Sequence, residues 1–222
     1  MSKVLVIAPH PDDETLGCGG TLSRHKQGGD ELYWVIVTCI SEDMGWPEAA
    51  VKKRDAEIDG VAKKYGFSDV FNFRFPTTKL DTLPIFDLIE KITDVYKKVE
   101  PEIIYMPFSH DVHTDHQLIA KAIQSTFKWF RYPHIKKVLM YETLSETEFN
   151  FMEDKAFRPN VFINISDFLD AKIEVMKTYE SEMGDFPFPR SEKTMHSLAA
   201  LRGSQSGFEA AEAFELVYER KL

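Results

Sequence analysis

The 222-residue chain is 43% hydrophobic and 28% charged, the balance of a soluble folded protein, which excludes a disordered chain. Its 27 Lys and Arg against 36 Asp and Glu give a formal charge of −9 with no dense basic block, which excludes nucleic acid and anionic membranes as default partners. No apolar run approaches the roughly 20 residues of a membrane span, and the two cysteines, Cys18 and Cys39, make no disulfide framework, so a cytoplasmic setting is expected.

KVLVIA (3–8) is a short run rich in β-branched residues and predicts a strand buried on both faces. A Pro/Asp loop, PHPDDE, and the Gly-rich GCGG follow, and from there a helix is expected to run to Gln27, closed by Gly28 and Gly29. LYWVIVTCI (32–40) predicts the second buried strand, Ser41 to Trp46 a loop, and Pro47 to Tyr65 a helix with Gly66 past its end. DVFNFRF (69–75) predicts a third strand, and Thr82 to Val99 a helix with Leu88, Ile92, Val95 and Tyr96 at helical spacing. EIIYMP (102–107) predicts a fourth strand, His116 to Phe130 a helix, and KVLMYE (137–142) a fifth strand. Strands joined by helices of this length imply right-handed βαβ units, hence an α/β fold with a mostly parallel sheet.

The remainder is less regular. NVFINI (160–165) predicts another strand, Ser166 a helix N-cap before Asp167 to Glu180, and Ser191 to Leu201 a further helix. Phe208 to Tyr218 is compatible with either helix or strand. With no repeat, low-complexity tract or linker, one domain over 1–222 is expected, a regular core over 1–145 and a C-terminal part over 146–222 available to complete the substrate pocket.

In a parallel sheet, sites form beyond the carboxyl ends of the strands. Two polar clusters stand there. His10-Pro11-Asp12-Asp13-Glu14 follows the first strand, and His110-Asp111-Val112-His113-Thr114-Asp115-His116 follows the fourth. Imidazole and carboxylate are the usual ligands of an ion such as zinc, so the clusters could converge on one cation. Alone, the first cluster reads equally well as a helix cap, since Asp is a good N-cap and its charge suits the helix dipole. The second cluster turns the balance to metal. Gly17 to Gly20 matches neither G-x-G-x-x-G directly after a strand nor a P-loop, and reads as glycines permitting close helix–sheet packing. A chain this long needs no metal to fold, so a metal site is expected to be chemical.

Ala8-Pro9-His10-Pro11-Asp12-Asp13-Glu14 together with His113-Thr114-Asp115-His116 resembles the two signatures of the PIG-L/LmbE-like deacetylases, A-H-P-D-D-E and H-x-D-H, with a Pro inserted before the first His. The likeness covers about the first 140 residues well and is looser beyond. It implies a Rossmann-like, three-layer fold and a metal-dependent enzyme that removes acetyl groups from N-acetylglucosamine-type substrates. It implies His10, Asp13 and His116 as metal ligands, Asp12 as general base, His113 as the residue that stabilises the oxyanion, and Asp115 as its orienting partner. The ligand set favours one Zn2+ and also accepts Fe2+ or Co2+. Hydrolysis of another amide or of an ester at the same metal, and a non-catalytic sugar-binding protein of the same fold, are the alternatives. Homo-oligomerisation is left open.

Substrate residues are less sharply marked. Arg54, in Arg54-Asp55-Ala56-Glu57, fits a family R-x-x-E pattern near substrate and equally an exposed i, i+3 pair. Glu142 ends the fifth strand, as a site residue or as an ordinary turn carboxylate. Arg190 and Arg202 read first as surface arginines and otherwise as the cationic element for a phosphorylated or nucleotide-linked sugar. Phe71, Phe73, Phe75, Trp129 and Tyr132 are expected in the core, Trp46 as a platform for stacking on a sugar ring, and His110 beside the site or at the surface.

Overall fold

The computed structural model describes residues 1–221. Seven strands, β1 (Lys3–Ala8), β2 (Glu31–Cys39), β3 (Asp69–Pro76), β4 (Ile103–Pro107), β5 (Lys137–Tyr141), β6 (Val161–Asn164) and β7 (Ala211–Glu219), form one sheet in the order β3-β2-β1-β4-β5-β7-β6. The first five are parallel, whereas β7 runs antiparallel to both β5 and β6. The ambiguous last segment is therefore a strand, and the C-terminal part of the chain closes the sheet beside β5.

The helices are α1 (Asp13–Gln27), α2 (Glu48–Tyr65), α3 (Ile85–Val99), α4 (Thr114–Gln124), α5 (Leu169–Met176) and α6 (Glu192–Ser206). Alternation along β1 builds a three-layer α/β fold. Val4, Val6 and Ala8 face a core shared with α1, α2 and α5, while Leu5 and Ile7 face one shared with α3 and α4. All five are fully buried, as their unbroken apolar run requires. The chain leaves β1 toward β2 and β3 on one side, then returns to β4 and β5 on the other. The topological switch point thus lies between β1 and β4, where α/β sheets open a crevice at their carboxyl edge.

Helix α1 begins earlier than expected, at Asp13, and is broken at Cys18, whose backbone (φ −145°, ψ 23°) is not helical. The break exposes main-chain groups that need partners. Lys172 of α5 donates to Leu16 O (2.8 Å), and Glu212 of β7 accepts from Gly20 N (2.9 Å) and Thr21 N (2.7 Å). Lys172 and Glu212 also pair with each other at 2.7 Å and are buried. The glycines serve packing: a β-carbon at Gly17 would strike the Tyr141 ring, and one at Gly20 would strike Ile165.

Three local expectations are corrected. Helix α4 stops at Gln124 rather than Phe130, because the Ser125 and Thr126 hydroxyls take the carbonyls of Ala122 (2.7 Å) and Ile123 (2.6 Å). Trp129, beyond that end, is 61% exposed and not a core residue, whereas Phe71, Phe73, Phe75 and Tyr132 pack against the α3–α4 core. Ser166 does not cap α5; its hydroxyl donates to Asn164 Oδ1 at 2.7 Å, and the helix starts at Leu169.

Candidate metal centre and substrate cleft

Because β1 and β4 are neighbours, the loop after β1 and the start of α4 meet at the switch point. One nitrogen from each of His10 and His116 and one oxygen of Asp13 lie within 4.8 Å of one another. Asp13 Oδ2 stands 3.4 Å from His10 Nδ1 and 3.3 Å from His116 Nε2. The same oxygen accepts the His10 backbone N–H (2.8 Å), which folds the loop back on the carboxylate. A divalent-metal-binding His/Asp site is therefore present.

The surroundings fit a cation. His116 is fully buried; its Nδ1 donates to Asp111 Oδ2 at 2.8 Å, so its Nε2 lone pair faces Asp13 with no hydrogen-bond partner among the described residues. A carboxylate on the far nitrogen of a ligating imidazole is the usual way to fix its tautomer. Asp12, Asp13, Glu14, Asp111 and Asp115 are all buried here. So many carboxylates in a dry region favour positive charge among them. His10 shows this directly. Burial alone would depress its pKa, but Asp115 and Asp13 outweigh burial and lift it to about 9.

Asp12 and Asp13 are pushed in opposite directions. For Asp13, burial is outweighed by His116 and His10, which hold its carboxyl far below the usual range. For Asp12, burial and the charge of Asp13 raise the carboxyl well above its ordinary value. Two adjacent carboxylates separated in this way can divide the work, one staying ionised and the other carrying a proton. Asp12 also holds a left-handed backbone conformation, φ 140°, which costs a non-glycine residue energy and is tolerated where the surroundings enforce it.

The expected pairing of Asp115 with the His113 ring is not the one found. Asp115 Oδ2 contacts His10 Nε2 (3.2 Å) and accepts the Thr78 backbone N–H (2.8 Å). Its distance to His113 Nδ1 is 4.0 Å, too long for a hydrogen bond. Instead His113 Nδ1 accepts the backbone N–H of Asp115 at 3.1 Å, because His113 is the N-cap of α4. That contact selects the neutral tautomer with its proton on Nε2. A protonated His113 ring is disfavoured as well: burial, then His10 and His116, push its pKa down to about 4. Its ring lies 4.6 Å from that of His10. His110 is exposed and packs on Phe108.

A cleft of about 540 Å³ opens over this cluster, a size suited to a small ligand. Arg54, Trp46 and Arg190 line it. Arg54 donates to Pro11 O (3.0 Å) and pairs with Glu57 (3.1 Å) and Glu182, so it is not an exposed surface pair. Arg190 holds Glu182 (3.1 Å) and donates to Ser145 Oγ (2.9 Å). Glu142 and Arg202 stand apart. They bind each other through two hydrogen bonds, 2.7 and 2.6 Å, beside a separate hollow at the end of β5, because each is the other's nearest charge partner. Sequence reasoning gave no role to Asp111, Glu146 or Glu182. Asp111 had a signal, since it sits inside the second cluster; the two glutamates lie on loops without periodicity.

A family model described as GlcNAc-PI de-N-acetylase (PIG-L) matches residues 5–127. The chain is 25% identical over 236 residues to a diacetylchitobiose deacetylase of Thermococcus kodakarensis, covering 98% of this chain and 84% of the relative. Among solved structures, N,N'-diacetylchitobiose deacetylase from Pyrococcus horikoshii superposes with a TM-score of 0.77 at 20% identity, over 98% of this chain and 84% of that one. The conserved protein TT1542 from Thermus thermophilus gives 0.78 at 23% identity, over 100% and 97%. With its paired signatures meeting at one switch point, the chain belongs to the PIG-L/LmbE-like deacetylase family.

Proposed function

We propose that the protein is a zinc-dependent N-deacetylase that hydrolyses the acetamide of an N-acetylated amino sugar or small glycoconjugate in the cytoplasm. The observation that carries this reading is the convergence of His10, Asp13 and His116 within 4.8 Å, with Asp12 lining the same cleft of about 540 Å³. The names of the archaeal relatives, which act on diacetylchitobiose, support the substrate class. Cys18 and Cys39 are both buried free thiols, which suits a reducing compartment.

His10, Asp13 and His116 would hold the ion. When bound, it supplies Lewis acidity that acidifies a water and polarises an amide carbonyl. Asp12 takes one proton from the attacking water as the oxygen bonds to the carbonyl carbon. His113 donates its Nε2–H to the developing oxyanion as a neutral imidazole, which leaves no charge to be neutralised before the reaction. As the C–N bond breaks, Asp12 returns the proton to the leaving nitrogen, giving the free amino sugar and acetic acid, whose remaining proton passes to solvent to leave acetate. Asp115 holds the His10 ring through Nε2, which turns Nδ1 toward Asp13. Arg54, Arg190 and Trp46 form the walls against which the sugar is set.

The test is acetate release by zinc-loaded protein from N-acetylglucosamine and diacetylchitobiose, set against simple amides and esters. Acetate from the sugars supports the reading. Turnover of only the simple amides or esters moves the protein to another hydrolase class. Sugar binding without acetate makes it a binding protein.

A further inference from the structure

Glu146 lies on the turn after β5 and lines the cleft. Its main chain is fixed on both sides. Its N–H donates to Thr143 O (3.1 Å), and its carbonyl accepts from Val112 N (3.3 Å). Its neighbours are fixed too: Ser145 Oγ accepts from Arg190 (2.9 Å), and the Thr147 hydroxyl donates to Asp111 Oδ1 (2.6 Å). Asp111 holds the metal-site imidazole of His116, so this turn is fastened to the cluster itself.

Glu146 Oε2 is shut from solvent and has no hydrogen bond among the described residues. Its acidic neighbours in the cleft all have cationic or imidazole partners, Asp13 in His10 and His116 and Glu182 in Arg54 and Arg190, while Glu57, whose oxygens also lack hydrogen bonds, lies in ion-pair contact with Arg54. Burial, together with the charges of Asp13 and Asp111, pushes the Glu146 carboxyl up to about 7. A buried polar atom left unpaired costs stability and calls for an explanation. The residue as a whole is only half-buried and lines the cleft, so a ligand there that brings a donor can meet the carboxyl on a turn already held in place.

We infer that Glu146 is the specificity-determining residue that accepts hydrogen bonds from hydroxyl groups of the bound sugar ring, which makes the substrate a polyhydroxylated pyranoside rather than any small acetamide. This rests on the deacetylase reading. In its ionised form the carboxylate accepts and does not donate, so that form selects hydroxyl donors and repels phosphate or carboxylate at that position. A site built around a substrate hydroxyl discriminates strongly, because without the hydroxyl its own polar group stays unpaired.

The experiment compares wild type, Glu146→Gln and Glu146→Ala as zinc-loaded proteins. Zinc content and melting temperature report integrity, calorimetry gives the affinity for glucosamine, and acetate release gives kcat and KM on N-acetylglucosamine. The expected result for Glu146→Ala is a loss of about 10- to 100-fold in glucosamine affinity and a matching rise in KM. Its kcat should stay within about threefold, the mark of lost uniform binding. Glu146→Gln, which keeps one acceptor oxygen, should fall between. If wild type turns over the sugar and Glu146→Ala keeps its KM and glucosamine affinity, the inference is overturned and the deacetylase reading stands. A fall in kcat with KM unchanged, or loss of zinc, also overturns it. If wild type neither binds glucosamine nor releases acetate, both fall together.

Discussion

The Glu14 carboxylate accepts the backbone N–H of Asp12 at 3.1 Å, reaching back across Asp13. Glu14 is fully buried and is itself held by Thr15 (2.7 Å) and by the Tyr179 hydroxyl (3.0 Å). Tyr179 comes from the far end of the chain, so the C-terminal part helps fix the strained backbone of the proposed base. Glu14 is thus a positioning residue. We expect Glu14→Ala to lower kcat by roughly 10²-fold through misplacement of Asp12, with KM little changed. Tyr179→Phe, which removes only one of three hydrogen bonds, should act in the same direction and less. Steady-state kinetics at matched zinc content check both.

Asp12→Asn should keep zinc and lose turnover. General base catalysis typically contributes about 10²- to 10⁴-fold, and an amide cannot accept the proton. Metal analysis beside acetate release tests this, and normal turnover in Asp12→Asn would remove the assignment.

Asp111 reaches the metal site only through the His116 ring, at 2.8 Å. Asp111→Asn should therefore weaken zinc binding by about 10- to 100-fold while leaving all three ligands in place. Competition against a chelator of known affinity measures it.

Lys172 and Glu212 supply the hydrogen bonds that the break in α1 requires. Lys172→Met leaves Leu16 O unpaired and Glu212 as an uncompensated buried charge. Such a change costs about 3–5 kcal/mol, readable as a lower midpoint in urea denaturation. A loss below about 1 kcal/mol would mean that the pair does not hold the break.

Glu182 gives a pH dependence. Burial would raise its carboxyl, but Arg54 and Arg190 outweigh burial and hold it below its ordinary value of 4.5. Its contribution to stability is therefore full above that ordinary value and is lost as pH falls through the lower folded-state value. The stability gap between wild type and Glu182→Gln should be widest near neutral pH and close in the acid range below 4.5. Denaturation curves across that range check the sign.

Much of the architecture is local and was legible. Unbroken apolar runs such as Val4 to Ala8 can only be buried strands, and the spacing of Leu88, Ile92, Val95 and Tyr96 can only be one face of a helix. Both chemical clusters are contiguous in the chain, so their ligand types were readable before any contact was known. The end of α4 was not, because its apolar pattern continues past the point where Ser125 and Thr126 turn the backbone.

What the chain order could not decide was partnership. That the two clusters share one cation site depends on β1 and β4 being neighbours across the switch point. Asp115 turns to His10 rather than His113, and Glu142 to Arg202 rather than the cleft, because each carboxylate settles on the nearest donor that folding brings up. Glu146 and Glu182 enter the cleft on turns with no periodic signal. Residue type and local spacing determined which ligand-type and acid–base side chains this protein carries; contacts between segments far apart in the chain, set by sheet order and burial, decided which of them stand together.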